Sequence, residues 1–224
     1  MTQQTALVFD LDGTLVDSVY QHVLAWSEAL HEVGIELSVW KIHRRIGMSG
    51  GLFAQGLLRE MEQPINKSLL ERLQHLHAEY YKQKSQQVVP LPGAKELLAR
   101  LTELKIPWAI ATSGRIKSAG ATIDTLKIPE NVPVITRDQV PHAKPNPDLF
   151  LEAVRQLKVD VTDTIVVGDS VWDLLAARRA RTLGVGLLSG GYGQEELERA
   201  GAYRVYEDPA ELLSHLDELG VRSA

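Results

Sequence analysis

Ala6-Leu7-Val8-Phe9-Asp10-Leu11-Asp12-Gly13-Thr14 is the stretch that predicts both the fold of this chain and its chemistry. Its four leading apolar residues are typical of a strand buried on both faces of a parallel sheet. Because residues two apart in a strand point to the same side, the carboxylates of Asp10 and Asp12 project together. Gly13 gives the backbone freedom to leave the strand, and Thr14 offers a hydroxyl hydrogen bond.

Two carboxylates this close repel each other, and burial would protonate at least one of them unless a cation joins them. A divalent metal ion resolves that conflict and then attracts a phosphate group. The alternative is a pair of turn aspartates that cap the strand, as any isolated Asp-x-Asp allows. Three further features of the chain favour the metal.

The first is Ser113, which follows the apolar run 108–111 and precedes Gly114 and a helical stretch. Its hydroxyl and the neighbouring backbone N–H groups can hold an anion where a helix begins. Taken alone, Ser113 fits a helix N-cap better than a ligand contact.

The other two features are Lys144 and the pair Asp169 and Asp173. Lys144 stands before Pro145 in a segment whose two prolines stiffen the approach to the next helix. Asp169 ends the apolar run 164–168, and Asp173 follows one helical turn later on the same face. Either aspartate could instead serve only to favour the helix N-terminus.

All of these groups fall at the carboxyl ends of predicted strands, where open parallel α/β sheets bind ligands. In order and spacing they resemble the haloacid dehalogenase superfamily of phosphohydrolases, in the branch with a helical cap that includes phosphoglycolate phosphatases and β-phosphoglucomutases. The resemblance covers essentially the whole chain. Its four motifs are Asp10-Leu11-Asp12-Gly13-Thr14, Ser113, Lys144 and Gly168-Asp169-Ser170-Val171-Trp172-Asp173.

The resemblance implies a role for each of these residues. Asp10 would be the nucleophile that forms an aspartyl-phosphate, and Asp12 the general acid and base. Magnesium would be held by the Asp10 carboxylate, the Asp12 main-chain carbonyl and Asp169, with Asp173 in support. The predicted phosphate-binding residues are Thr14, which orients the first motif, and Ser113, Gly114 and Lys144.

Spacing in the rest of the chain predicts two parts. Residues 18–86 carry apolar positions at helical spacing, with Leu24 and Leu30 marking one helix. Beyond residue 90, helices alternate with strands, which indicates a parallel sheet. We therefore expect an α/β protein whose Rossmann-like parallel-sheet core, residues 1–17 and 87–224, is interrupted by an all-helical cap, residues 18–86. The segment could instead extend the core helices. The strands are expected near 107–112, 132–136, 163–168, 183–187 and 203–206.

Substrate specificity is expected to come from the cap, which in this family closes over the site. Arg44 and Arg45 are adjacent, so only one of them is expected to face the cleft. His75 and His77 are two apart in a helix and diverge, so they are poor candidates for joint metal binding. The cap candidates are His22, Arg45, Gly47, Met48 and Ser49.

Composition sets limits on function. The net charge of −5 and the pI near 5.8 give no electrostatic case for a nucleic-acid or membrane partner. The absence of cysteine among the 224 residues excludes disulfides, thiol nucleophiles and cysteine-bound zinc. No apolar run approaches the ~20 residues of a membrane span, so a cytoplasmic enzyme is expected.

The expected activity is magnesium-dependent hydrolysis of a small phosphorylated metabolite. Asp12 argues against a dehalogenase, and Lys41 is only a weak candidate for the Schiff-base lysine of a phosphonoacetaldehyde hydrolase. A β-phosphoglucomutase usually has an arginine and a glutamate where this chain has Gly50 and Gly168. A non-catalytic phosphate-binding regulatory protein stays open as a second alternative. Nothing in the sequence names the substrate or the oligomeric state.

Overall fold

The computed structural model describes residues 5–60 and 66–221, and within these ranges six strands form one sheet. All neighbouring strands are parallel, in the order β3-β2-β1-β4-β5-β6. The strands are β1 (Ala6–Phe9), β2 (Trp108–Ala111), β3 (Val134–Ile135), β4 (Thr164–Gly168), β5 (Leu183–Leu187) and β6 (Ala202–Tyr206).

Every predicted strand is present, which confirms the expected parallel-sheet core. Strand β3 is shorter than expected, because it forms one edge of the sheet and starts after Pro133, which has no N–H to donate. Strands β1, β2 and β4 are buried along their whole length, as their unbroken apolar sequences indicate.

The helices cover both faces of the sheet. The side chains of successive β1 residues pack on opposite faces of the sheet. Leu7 and Phe9 belong to one apolar cluster with Leu97, and Val8 belongs to another with Phe150. The described helices are α1 (Val19–Glu32), α2 (Val39–His43), α3 (Gly50–Glu60), α4 (Lys67–Lys84), α5 (Ala94–Glu103), α6 (Ile116–Asp124), α7 (Asp148–Leu157), α8 (Val171–Ala180), α9 (Gln194–Ala200) and α10 (Pro209–Ser214).

Helices α1 to α4 follow β1 and precede β2 in the chain, and they enclose an apolar cluster of their own. Trp26 of α1, Phe53 of α3 and Leu73 of α4 are at its centre. The helix marked by Leu24 and Leu30 is present as α1, in which the Leu30 side chain is buried and the Leu24 side chain is 50% exposed. In its described ranges, 18–60 and 66–86, the inserted segment forms helices and no strand, as expected.

Two chain segments connect these helices to the sheet, and they run side by side. The Asp17 N–H donates to the Val89 carbonyl at 2.9 Å, and the Leu91 N–H donates to the Leu15 carbonyl at 3.0 Å. Paired connections of this kind fit a boundary near residues 17 and 87. That boundary between core and cap stays a prediction.

The sheet order places a crevice at the end of β1. The chain runs outward from β1 through β2 to β3 and then returns to β4 on the other side of β1. Ligands bind at such a switch point, outside the carboxyl ends of the strands. Within the described residues, no helix is both long and apolar enough to cross a bilayer.

Candidate active site

Three carboxylates meet at the switch point. Asp10 follows β1, where its N–H donates to the Val167 carbonyl of β4 at 2.9 Å. Asp169 follows β4, and Asp173 lies in the first turn of α8. Each of the three offers an oxygen within 4.8 Å of the others, and all three side chains are buried.

Lys144 lies beside this group, and its side chain is fully buried. Its Nζ is 2.8 Å from Oδ1 of Asp173 and also contacts Oδ1 of Asp10. Three carboxylates and one ammonium leave a formal charge of −2 when all are ionised. A buried excess of negative charge needs either protons or a cation.

The ionisation of these groups reflects that excess. Burial, together with the charges of Asp173 and Asp12, raises the pKa of Asp10 to about 8, although Lys144 acts in the opposite direction. Burial and the charges of Asp173 and Asp10 hold the pKa of Asp169 well above its usual range. Burial lowers the pKa of Lys144, but its two carboxylate partners raise it by more, so the ammonium stays charged.

The donor set fits magnesium. Carboxylate oxygens are the ligands that this hard cation prefers, and its charge equals the formal excess at the site. In the described part of the chain, Oδ1 of Asp10 and Oδ1 of Asp173 are buried without an aligned hydrogen bond, even though both contact Lys144. These are the atoms that a metal ion would satisfy.

The first and fourth motifs are held together by a side-chain bond. Thr14 Oγ1 donates to Oδ1 of Asp169 at 2.8 Å, and both residues are buried. Gly13, between the two motif-one residues Asp12 and Thr14, has a φ of +79°. A Cβ at Gly13 would come within 2.5 Å of Oδ2 of Asp169, so only glycine lets the two loops approach this closely.

Asp173 has two structural contacts besides Lys144. Its Oδ2 accepts hydrogen bonds from the N–H and the hydroxyl of Ser170, which closes the N-terminus of α8. The alternative reading of Asp173 as a residue that favours the helix start is therefore also correct. The same side chain caps the helix and completes the carboxylate group.

Asp12 lies outside the carboxylate group and faces the helical segment. Its Oδ1 accepts from Ser18 Oγ at 2.6 Å and lies 3.2 Å from His22 Nε2. Burial raises the pKa of Asp12, but His22 and the hydrogen bonds from His22 and Ser18 outweigh it and hold the pKa below its usual value. The contribution of the Asp12 main-chain carbonyl to metal binding stays a prediction.

Ser113 contacts the helical segment, and it does not cap a helix. Its hydroxyl donates to the Gly47 carbonyl at 2.9 Å. Helix α6 begins only at Ile116, whose N–H is bonded to Asp138, so the N-cap interpretation of Ser113 is wrong. The Gly114 N–H donates to Thr112 Oγ1 at 2.9 Å, and its place in phosphate binding stays a prediction.

A cleft of about 340 Å³ opens between the sheet edge and the helical segment. Asp10, Asp12, Ser113 and Gly114 form its floor on the core side. All five cap residues expected from the sequence line it as well: His22, Arg45, Gly47, Met48 and Ser49. Thr14, Lys144, Asp169 and Asp173 lie beneath the floor and are not part of the cleft wall.

The two adjacent arginines point in different directions, as expected. Arg45 lines the cleft, whereas Arg44 pairs with Glu196 of α9 and lies over the Tyr192 ring at 4.2 Å. The Arg44 carbonyl also accepts from the Tyr192 hydroxyl at 2.9 Å. Arg44 therefore joins the helical segment to the core.

Several cleft residues were not predicted from the sequence, and four of them, Trp26, Phe53, Gln74 and His77, lie on the cap side. Trp26 and Phe53 stack at 4.1 Å between ring centroids, and His77 stacks on the other side of Trp26 at 4.2 Å. Gln74 lies one turn before His77 on α4. His75, by contrast, points away and pairs with Glu79, so the two histidines diverge as expected.

His77 also connects the cleft to Asp12. Its Nε2 lies 3.2 Å from Nδ1 of His22, and the His22 ring stacks on Tyr81 at 3.8 Å. Burial and the neighbouring His22 hold the pKa of His77 well below its usual range, so its ring is neutral. The row His77–His22–Asp12 therefore leads from the cap wall of the cleft to the predicted acid and base.

Comparison with known proteins agrees with this geometry. The model of a hydrolase family, the haloacid dehalogenase-like hydrolases, matches residues 4–181. The chain is 31% identical to hexitol phosphatase A of Escherichia coli over 77% of this chain and 78% of that protein. It is also 31% identical to a phosphoglycolate phosphatase of Neisseria meningitidis, over 86% and 83%.

A solved structure of high similarity exists as well. A hydrolase from Pseudomonas syringae superposes with a TM-score of 0.93 at 52% identity, over 96% of this chain and 99% of that one. The sheet order, the motif residues and these matches agree, and the chain belongs to the haloacid dehalogenase-like hydrolases.

Proposed function

We propose that this chain is a magnesium-dependent phosphatase that hydrolyses a small phosphorylated metabolite through an aspartyl-phosphate on Asp10. The observation that carries the proposal is the meeting of Asp10, Asp169 and Asp173 beside Lys144 at the floor of a cleft. Relatives named as phosphatases support the reaction class.

Asp10 is the proposed nucleophile. It is the member of the carboxylate group that lies in the cleft floor, so its oxygen can reach the phosphorus of a bound ester. Attack forms a bond between that oxygen and phosphorus, while the bond from phosphorus to the alcohol oxygen breaks. Lys144 and the donors at Ser113 and Gly114 are proposed to hold the phosphoryl oxygens, whose negative charge must be stabilised during transfer.

Asp12 is the proposed general acid and base. It also lies in the cleft floor, two residues from Asp10, and its carboxylate is turned away from the buried carboxylate group toward Ser18 and His22. It would give a proton to the leaving alcohol and later take one from the water that hydrolyses the aspartyl-phosphate. Thr14 positions Asp169 through their hydrogen bond.

Magnesium would be held by Asp10, by Asp169 and by the Asp12 carbonyl, with Asp173 in support. When bound, it supplies the positive charge that lets a phosphate dianion approach these carboxylates. The two buried oxygens without an aligned hydrogen bond, on Asp10 and Asp173, support this assignment.

Residues 18–86 are proposed to act as a cap that selects the leaving group. In this scheme His22, Arg45, Gly47, Met48 and Ser49 contact the substrate from above the cleft floor. The substrate is proposed to be a small phosphorylated metabolite, since the cleft volume of about 340 Å³ is at the lower end of ligand sites. A cytoplasmic location stays a prediction from the sequence.

Two glycines favour a phosphatase over a phosphomutase. A Cβ at Gly168 would lie 2.3 Å from Cβ of Asp173, so the glutamate of the mutase pattern would displace Asp173. A Cβ at Gly50 would lie 3.2 Å from the Trp26 ring, which leaves little room for the mutase arginine.

The proposal is tested by release of inorganic phosphate from p-nitrophenyl phosphate. We expect release with Mg²⁺, none with EDTA, and inhibition by Ca²⁺, whose looser coordination disturbs the in-line geometry. Full activity in EDTA, or no release under any condition, would overturn the proposed function.

A further inference from the structure

Arg45, the cap cation that lines the cleft, is already paired with a carboxylate. Arg45 pairs through Nη2 with the Glu60 carboxylate at the end of α3, and its Nη1 donates to the Lys41 carbonyl at 2.7 Å. The Glu60 carboxylate lowers the attraction of this guanidinium for a second anion, which would have to compete with Glu60 for its N–H groups.

The guanidinium groups on the core side of the cleft also have protein partners. Among the described cleft residues the other guanidinium groups are Arg115 and Arg137. Arg115 donates to Oδ1 of Asp138 at 2.6 Å, and Arg137 donates to the carbonyls of Val140 and Pro141. Each guanidinium of the described cleft therefore has a protein partner, which is a carboxylate for Arg45 and Arg115 and a pair of main-chain carbonyls for Arg137.

The uncommitted polar groups of the cleft are neutral. Within the described ranges, neither the indole N–H of Trp26 nor the carboxamide of Gln74 has a hydrogen-bond partner. His77 uses one ring nitrogen toward His22 and leaves the other free, and its depressed pKa keeps it uncharged. These groups supply two kinds of donor and an acceptor, which suit hydroxyl groups.

An aromatic wall stands beside these donors. Phe53, Trp26 and His77 are stacked in a row along the cap side of the cleft. Flat aromatic faces bind the C–H surface of a polyol or a sugar, while neighbouring amide and imidazole groups bind its hydroxyls.

We infer that the substrate is the phosphate monoester of a neutral, hydroxyl-bearing alcohol, such as a polyol or a sugar, and not of a carboxylated alcohol. The inference rests on the proposed function and names the substrate class of the same site. A carboxylate in the cleft would face neutral groups and arginines whose N–H groups already have protein partners, so much of its desolvation would go uncompensated.

The test compares phosphate esters that differ only in whether they carry a carboxylate or a hydroxymethyl group. Glycerol 3-phosphate is paired with 3-phosphoglycerate, and 2-hydroxyethyl phosphate with 2-phosphoglycolate, each with Mg²⁺. Within each pair a hydroxymethyl group replaces a carboxylate. We expect kcat/KM to be at least about tenfold higher for the neutral ester of each pair, because a site with hydrogen-bonding groups rejects a mismatched partner strongly.

Glu60→Gln then tests the cause. Removing that carboxylate frees Arg45, so the preference for the neutral ester should fall several-fold as the carboxylated ester gains kcat/KM. The matched control is Glu71→Gln on α4, whose carboxylate pairs with the exposed Lys67 away from the cleft, and which should leave the preference unchanged. Gln74→Met should also lower the preference, whereas Gln83→Met, on the exposed side of α4, should not.

The outcomes separate the two proposals. Equal rates, or faster release from the carboxylated esters, would overturn the inference while the phosphate released upholds the proposed function. An unchanged preference in Glu60→Gln would overturn it as well, since Arg45 would then not be the controlling group. No phosphate release from any ester, including p-nitrophenyl phosphate, would overturn the proposed function and the inference together.

Discussion

Thr14 and Asp169 are 155 residues apart in the chain, yet the Thr14 hydroxyl donates a 2.8 Å hydrogen bond to the Asp169 carboxylate. The bond joins the loop after β1 to the loop after β4, and both side chains are buried. It fixes one of the proposed metal ligands relative to the proposed nucleophile, Asp10.

Thr14→Val removes the hydroxyl while keeping the shape of the side chain. It leaves a buried oxygen of Asp169 without its donor, so the free energy of unfolding should fall by about 1.5–3 kcal/mol. Urea denaturation measures this loss, and magnesium titration should show weaker binding. Thr14→Ser keeps the hydroxyl and should retain most of both properties. Wild-type stability and magnesium affinity in Thr14→Val would show that the bond has no positioning role.

The raised pKa of Asp10 predicts how stability depends on pH and magnesium. In the metal-free folded chain the pKa of Asp10 is about 8, against an ordinary value of 3.8. The folded state therefore holds more protons than the unfolded state between these values, and its stability falls as pH rises through that window. A bound cation favours the ionised carboxylate and opposes the loss.

Magnesium should accordingly raise Tm by more at about pH 8.5 than at about pH 5.5. Thermal denaturation with and without MgCl₂ measures this difference. Asp10→Asn cannot titrate at this position, so its magnesium effect should be smaller and less dependent on pH. An equal rise in Tm at both pH values in the wild-type protein would contradict the assignment of Asp10 as a ligand.

Gly47 lies where the cap and the core come into close contact. It has a φ of +95°, and a Cβ there would lie 2.7 Å from Ser170 Oγ. Gly47→Ala should lower kcat/KM several-fold, because the loop must shift and the Gly47 carbonyl loses its place against Ser113.

Gly34→Ala is the matched control for this change. Gly34 also has a positive φ, of +75°, but a Cβ there would meet nothing within 4 Å. Both variants should lose about 1–2 kcal/mol of stability from backbone strain, while only Gly47→Ala should lose activity. Equal activity in the two variants would show that the Gly47 contact does not matter for turnover.

The distinction between phosphatase and mutase predicts the fate of β-glucose 1-phosphate. A mutase must return the phosphoryl group to a second sugar hydroxyl before water intercepts the aspartyl-phosphate, which needs firm cap contacts. Gly50 and Gly168 lack the side chains of the mutase pattern, so any turnover should release inorganic phosphate. An NMR time course seeded with glucose 1,6-bisphosphate decides this, and isomerisation faster than hydrolysis would favour the mutase.

The core and its motif residues were predictable from the sequence for a physical reason. Strands buried on both faces must be short apolar runs, and parallel strands end at one edge of the sheet. The polar residues that follow those runs, such as Asp10 and Asp169, therefore had to lie near each other. Lys144 was also expected at the end of a strand, and this is wrong, because β3 ends at Ile135 and no described strand lies between it and Lys144. Its family motif, rather than its place after a strand, is what put it at the same site.

The cap wall was not predictable in the same way. Trp26 and Phe53 occupy apolar helix positions, and helical spacing alone does not tell a residue in the cap core from one that also lines a cleft. Leu24 has the same spacing signal and is exposed. Gln74 and His77 reach the cleft only because α4 packs along α1, which is a tertiary contact between distant segments. The Ser113–Gly47 bond likewise depends on how the cap lies over the core.

The measurement that tests the central claim most directly is capture of the phosphoryl group on Asp10. Asp12→Asn should still be phosphorylated by p-nitrophenyl phosphate, whose leaving group needs no proton, but should hydrolyse the product slowly. After acid quenching, mass spectrometry should find the phosphoryl group on Asp10 in the Asp12→Asn variant. The double variant Asp10→Asn/Asp12→Asn should carry no phosphoryl group, and its kcat should fall by at least about 10³-fold. A phosphoryl group on another residue, or rapid turnover without Asp10, would contradict the account.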